Sequence, residues 1–142
     1  HMNDQLILEG GCLCGAVRYR AEGAPFDAEY CHCRMCQRFT GAAAANWMDF
    51  KREQVEWTAG EPREYTSSET VRRGFCPNCG SALTFRDTRY PQYLTLTIAS
   101  LDDPNAVRPT RHLFTESQLA WFDPADDCPR YRRGPGDVMG SE

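Results

Sequence analysis

The chain has 142 residues, 41% hydrophobic and 25% charged, the size of one globular domain with a real core and little room for a second. A formal net charge of -4 and an isoelectric point near 5.4 give no broad cationic face for phosphate backbones, so nucleic acid is not an expected partner despite local runs at Arg72-Arg73 and Arg130 to Arg133. No stretch approaches about 18 consecutive apolar residues, and no basic start leads into an apolar run, so neither a helical membrane span nor a secretory signal is visible and the expected location is the cytoplasm.

His1 and Met2 read as a vector-derived scar, and the domain is expected over residues 3–128. Cys12-x-Cys14 comes first. In extended backbone, residues i and i+2 point the same way, so these two sulfurs form a pincer while Leu13 faces away. GAVRYRA (15–21) then alternates as a half-buried strand and breaks at Gly23 to Pro25. In YCHCRMCQRF (30–39), Cys31 and Cys33 share one strand face, a turn at Arg34-Met35 brings Cys36 round to them, and His32 points away. GAAAANWM (41–48) is ambiguous because alanine favours helix, but no capping residue precedes it and strand is the expected state.

Beyond the break at Gly60 to Pro62, Cys76-Pro77-Asn78-Cys79-Gly80 spells a zinc-knuckle turn: the spacing aims both sulfurs at one point, Pro77 stiffens the turn, and Gly80 permits a positive φ. SALTFR (81–86) and YLTLTIAS (93–100) follow as strands, the latter with Leu94, Leu96 and Ile98 on one face against Thr95 and Thr97. Turn clusters at Asp87 to Pro91, Asp102 to Asn105 and Asp123 to Asp127 complete an all-β pattern. Residues 129–142 are polar and rich in Gly and Pro, so a loose tail is expected there.

Eight cysteines in a reducing compartment read as metal ligands or catalytic thiols rather than disulfides. Cys12, Cys14, Cys76 and Cys79 supply four thiolates, enough for a closed, structural tetrahedral zinc. Cys31, Cys33 and Cys36 supply three, which leaves the fourth position of a second zinc open for chemistry. Three thiolates make a soft, weakly acidic centre suited to a substrate sulfur, so activation of a thiol is favoured over activation of water. Other readings stand beside this one: the trio could close on Cys128 or His112 as a second structural site, or be a redox trio without metal. Cys128 alone reads as an incidental free thiol, His112 as a hydrogen-bonded structural residue, and the tryptophans as core or pocket wall.

The ordered series GGCLCGAVRY, CHCRMCQRFTGA, RGFCPNCGSAL, TIASLDDP and RHLFTESQLAWFD, from about Gly10 to Asp123, resembles the glutathione-dependent formaldehyde-activating (GFA) family. The resemblance implies a mainly β, zinc-stabilised fold of the Mss4-like, β-tent type with two zinc ions per chain. By motif, Cys12, Cys14, Cys76 and Cys79 match the structural ligands, and Cys31, Cys33 and Cys36 the catalytic ones. It also implies a carbon–sulfur lyase that runs toward synthesis, joining glutathione to formaldehyde as S-hydroxymethylglutathione, with a small thiol and a small carbonyl as partners. Glutathione carries two carboxylates, for which Arg34, Arg38, Arg72, Arg73 and Arg111 are candidate partners by their nearness to the motifs. The competing expectation is a zinc-stabilised, Mss4-like binding or chaperone module without catalysis. A zinc deaminase is excluded because His32 is followed by Cys33-Arg34 instead of completing HxE. A methionine-sulfoxide reductase of related fold would use two CxxC pairs, where this chain has CxC and CxxC.

Overall fold

The structure, a computed structural model, describes residues Leu6–Pro135. In chain order the strands are β1 (Ile7–Gly11), β2 (Arg18–Glu22), β3 (Asp27–Cys31), β4 (Ala45–Lys51), β5 (Val55–Ala59), β6 (Arg63–Thr66), β7 (Val71–Phe75), β8 (Ala82–Asp87), β9 (Tyr93–Thr97) and β10 (His112–Leu113), with one helix, α1 (Arg34–Thr40), after β3. They form a three-stranded sheet in the order β1-β2-β5 and a seven-stranded sheet in the order β10-β3-β4-β9-β8-β7-β6. All pairings between these strands are antiparallel except that of β10 with β3.

The two-residue period of a strand decides what each face carries. Ala28 of β3, Met48 and Phe50 of β4, and Leu94 and Leu96 of β9 point to one side and pack on Leu8, Tyr19 and Ala21 of the small sheet as the main core. The residues between them, Asp27, Glu29 and Cys31, Trp47 and Asp49, and Thr95, line a cavity on the other side. One face is therefore spent on stability and the opposite face on a site.

The expected strands are present with shifted ends. A turn from Cys12 to Val17 delays β2 to Arg18, β4 starts at Ala45 after bends at 41–44, and β9 stops at Thr97 because Ile98–Ser100 close into a 3-10 turn. The turn expected at Arg34-Met35 is instead the first turn of α1. No Ser, Thr, Asp or Asn announces this helix; Cys33 is the N-cap, its sulfur accepting the Cys36 N–H at 3.3 Å, and Gly41 (φ 71) ends it by donating to the Gln37 carbonyl.

The segment from Pro129, expected to be loose, is zipped onto β10 over its first residues. The His112 N–H donates to the Pro129 carbonyl at 2.8 Å, the Tyr131 N–H to the His112 carbonyl at 2.8 Å, and the Phe114 N–H to the Arg133 carbonyl at 2.9 Å. Backbone pairing needs no apolar side chains, so composition does not reveal it. Residues 136–142 of the expected tail lie outside the described residues.

Candidate active site and metal centres

The β1–β2 turn and the knuckle after β7 meet at the four sulfurs of Cys12, Cys14, Cys76 and Cys79, all within 4.8 Å of one another. The Cys12–Cys14 and Cys14–Cys76 sulfur separations are 3.7 and 3.8 Å. These lie far beyond a disulfide bond of about 2.05 Å. They equal the edge of a tetrahedron whose centre is about 2.3 Å from each sulfur, the Zn–S distance. N–H groups converge on the same atoms: Val17 on Cys12 at 3.3 Å, Asn78 and Cys79 on Cys76 at 3.3 and 3.4 Å, and the Asn78 side chain on Cys14 at 3.2 Å. Gly80, at φ 80, lets its N–H turn back to the Cys76 carbonyl. Donors aimed at sulfur stabilise thiolate, and the Cys79 thiol is lowered to about 5 chiefly by the Ser81 hydroxyl 3.1 Å away. The donor set therefore fits zinc.

Cys31 ends β3, Cys33 caps α1 and Cys36 sits in its first turn, and this geometry gathers their sulfurs within 4.8 Å. Cys36, 2% exposed, accepts hydrogen bonds from the Trp47 indole N–H and the Arg73 guanidinium, each at 3.4 Å. Arg73 is itself 2% exposed, with its head against the Phe39 and Phe85 rings and its Nε donating to Ser67. Cys36 is the sulfur that ionises most readily, held well down by hydrogen bonds from the Cys31 and Cys33 thiols and then by the charge of Arg73. Among the described residues no fourth Cys, His, Asp or Glu joins the trio. Cys128 lies elsewhere, its sulfur 3.8 Å from the Pro109 carbonyl.

Cys31 and Cys36 form part of the wall of a cavity of about 400 Å³. Trp47, Phe85, Leu113 and Phe114 also line it, as do Phe26, Tyr90 and Tyr93, each of which is part-exposed. Phe114 holds a left-handed backbone (φ 57), uncommon for a bulky residue. Arg111 reaches Glu29 at 2.8 Å, Asp27 at 3.6 Å and Asp49 at 3.9 Å. Glu29 is pushed up to about 9 by burial and then by the nearby Asp49, and burial also raises Asp49, whose carboxylate accepts from Thr95 at 2.7 Å.

Of the five arginines singled out in the sequence, Arg73 touches the trio and Arg111 lines the cavity. Arg34 bonds Gln37, Arg72 bonds the carbonyls of Ser68, Glu69 and Val71, and Arg38 is exposed. Glu29, Asp49, Arg86 and Arg89 were not anticipated. A signal for the first existed: Asp27-x-Glu29-x-Cys31 puts both carboxylates on the face of the cysteine once β3 is recognised.

His32, just past the end of β3, is fully buried, and its Nε2 lies 2.9 Å from His112 Nδ1. His112 Nε2 lies 3.0 Å from Asp126, so the pair fits one tautomer: His112 donates to the carboxylate and accepts from His32.

Comparison with known proteins follows the same residues. The family described as glutathione-dependent formaldehyde-activating enzyme matches residues 7–117. A Halomonas elongata protein named for that activity is 31% identical over 128 residues, covering 83% of this chain and 81% of its own. An uncharacterised lyase of Schizosaccharomyces pombe is 30% identical over 80 residues, 56% of this chain and 58% of that protein. A crystal structure of a Rhodobacter sphaeroides protein aligns with a TM-score of 0.57 at 25% identity, covering 71% of this chain and 91% of that one. The mainly β, Mss4-like architecture implied by the motif series therefore holds.

Proposed function

This chain belongs to the glutathione-dependent formaldehyde-activating family, and on that premise we propose that it is a zinc-dependent carbon–sulfur lyase working toward synthesis, joining a small thiol, glutathione in the family's description, to formaldehyde or a similar small carbonyl. The observation that carries this reading is the unequal setting of the two clusters. Four sulfurs close on one another, while three turn two of their number, Cys31 and Cys36, to an aromatic-walled cavity large enough for a small ligand. An open trio beside such a cavity favours catalysis over a binding module with its second cluster closed.

Cys12, Cys14, Cys76 and Cys79 would hold the structural zinc, and Cys31, Cys33 and Cys36 the catalytic one. Zinc at the second site would supply Lewis acidity that ionises a thiol near neutral pH. The chain's own residues do the rest. Trp47, Phe85 and Phe114 keep water from the reacting atoms. As the sulfur bonds to the carbonyl carbon, the π pair moves to oxygen, which must take a proton. Glu29, whose carboxyl burial and the nearby Asp49 push up to about 9 in the same cavity, can hand one on and be recharged by the proton the thiol gives up. Arg111 fixes the Glu29 carboxyl through its 2.8 Å bond. Seven clustered thiols suited to ligation fit a reducing compartment, which supports a cytoplasmic location.

Cobalt substitution tests the reading. Adding glutathione or a small thiol to the cobalt-loaded protein should intensify sulfur-to-metal charge-transfer absorption and release a proton, with the Cys33→Ala variant as blank. If no thiol perturbs the spectrum while a carboxylate does, thiol activation is the wrong chemistry.

A further inference from the structure

A cavity that brings an activated sulfur to an aldehyde has a competitor built into its wall. Cys31 and Cys36 are sulfur nucleophiles too, and both face the same space. Cys36 is the one that two side chains restrain: the Trp47 indole N–H and the Arg73 guanidinium each reach its sulfur at 3.4 Å. Both donors are locked. Trp47 is 3% exposed on β4, and Arg73 is pinned on β7 against Phe39 and Phe85, with Ser67 holding its Nε.

A hydrogen bond to a thiolate draws on the lone pair that would attack carbon, and a desolvated positive charge beside it does so more strongly. There is also a matter of total charge. Were a dication held by the three thiolates and joined by a substrate thiolate, negative charge would be in buried surplus, and the buried guanidinium of Arg73 would offset part of it. A lysine could supply charge there but not the planar fork that reaches Cys36 while lying against two rings.

We propose that Arg73 and Trp47 are positioning residues that act through Cys36, holding its sulfur back from the electrophile so that the carbon–sulfur bond forms to the substrate's sulfur instead. The proposal rests on reading Cys31, Cys33 and Cys36 as a metal-holding trio and goes beyond it by giving that trio a built-in order of reactivity.

Alkylation of the zinc-loaded protein with iodoacetamide, in which a sulfur displaces iodide, reads that order directly by peptide mass spectrometry. Arg73→Met should raise the labelling rate at Cys36 about tenfold or more, the factor that a hydrogen bond to a charged acceptor is worth, and Trp47→Phe should raise it less. Arg73→Lys should fall between Met and wild type. Labelling of Cys12, Cys14, Cys76 and Cys79 should not change. In the cobalt protein, Arg73→Met should move the charge-transfer band to lower energy, a shift that a merely structural arginine would not produce. Unchanged Cys36 labelling and an unchanged band in a variant that keeps both metals overturn the proposal. Where Arg73→Met does not fold, Trp47→Phe and Arg73→Lys decide on the same two readouts. The outcomes stay separable from the parent reading: a wild-type cobalt protein blind to thiols sinks the proposed function, whereas one that binds thiols beside silent variants sinks only the role of Arg73 and Trp47.

Discussion

His32 stands between two cysteines of the trio yet faces away from the cavity, where it meets His112 and, through it, Asp126. Its Nδ1 is buried with no partner among the described residues, and burial followed by the neighbouring His112 ring lowers its pKa to about 4. The fold therefore holds His32 neutral, whereas the unfolded chain protonates it near 6.5. Below that value the unfolded state takes up a proton that the folded state refuses. Stability is then full above about pH 6.5, falls as pH drops toward 4, and levels off below. Between pH 7 and 5 the loss should be about 2 kcal/mol. Urea titrations at both pH values should show it in the wild type, while His32→Gln, which cannot titrate, should lose less by that amount. Any loss of metal would be common to the two proteins, so equal pH slopes would count against this account.

At the scale of elements, two short devices carry the sulfurs: a knuckle after β7 and a helix capped by Cys33. The knuckle links turns whose cysteines lie more than sixty residues apart, and a metal bound there would contribute folding free energy. Cys76→Ser should give aggregated or unfolded protein; a soluble variant with an unchanged melting temperature would speak against a structural ion. Cys33→Ala removes the N-cap and one of the proposed ligands, so on the two-zinc reading proposed above it should keep the fold at a cost of about 1 kcal/mol while metal analysis falls from two equivalents to one. Gly10 on β1 leaves no room for a side chain, since an added Cβ would sit 2.4 Å from the Ser100 carbonyl and 2.5 Å from the Tyr19 hydroxyl. Gly10→Ala should destabilise by about 1–3 kcal/mol in thermal melts, prying the small sheet from the turn after β9. Strands β2, β8 and β9 and both cysteine groups were legible because period-two alternation and ligand spacing are local patterns, whereas β1, β5, β6, β7 and β10 were not singled out. Helix α1 was not, because its cap is a sulfur instead of a hydroxyl or carboxyl. The closeness of Glu29 to Asp49 was not either, because it depends on how β3 registers against β4, which no local pattern states.

At the scale of the whole molecule, the seven-stranded sheet joins segments far apart in the chain: β4 pairs β9, and β10 lies beside β3 with His112 opposite Tyr30. Such order is invisible in a single sequence and makes for slow folding, since large loops must close before their contacts form. It also sets a sequence of events during synthesis. All seven clustered cysteines lie at or before Cys79, whereas Leu113, Phe114, Gly134 and Pro135, which wall the cavity, come at the other end of the described chain. A ribosome adding about 5–20 residues per second delivers the sulfurs seconds before that wall exists. For that interval the thiols are in the cell without their shelter, and whatever first captures them, a metal ion or an oxidant, decides whether the finished cavity has a working floor.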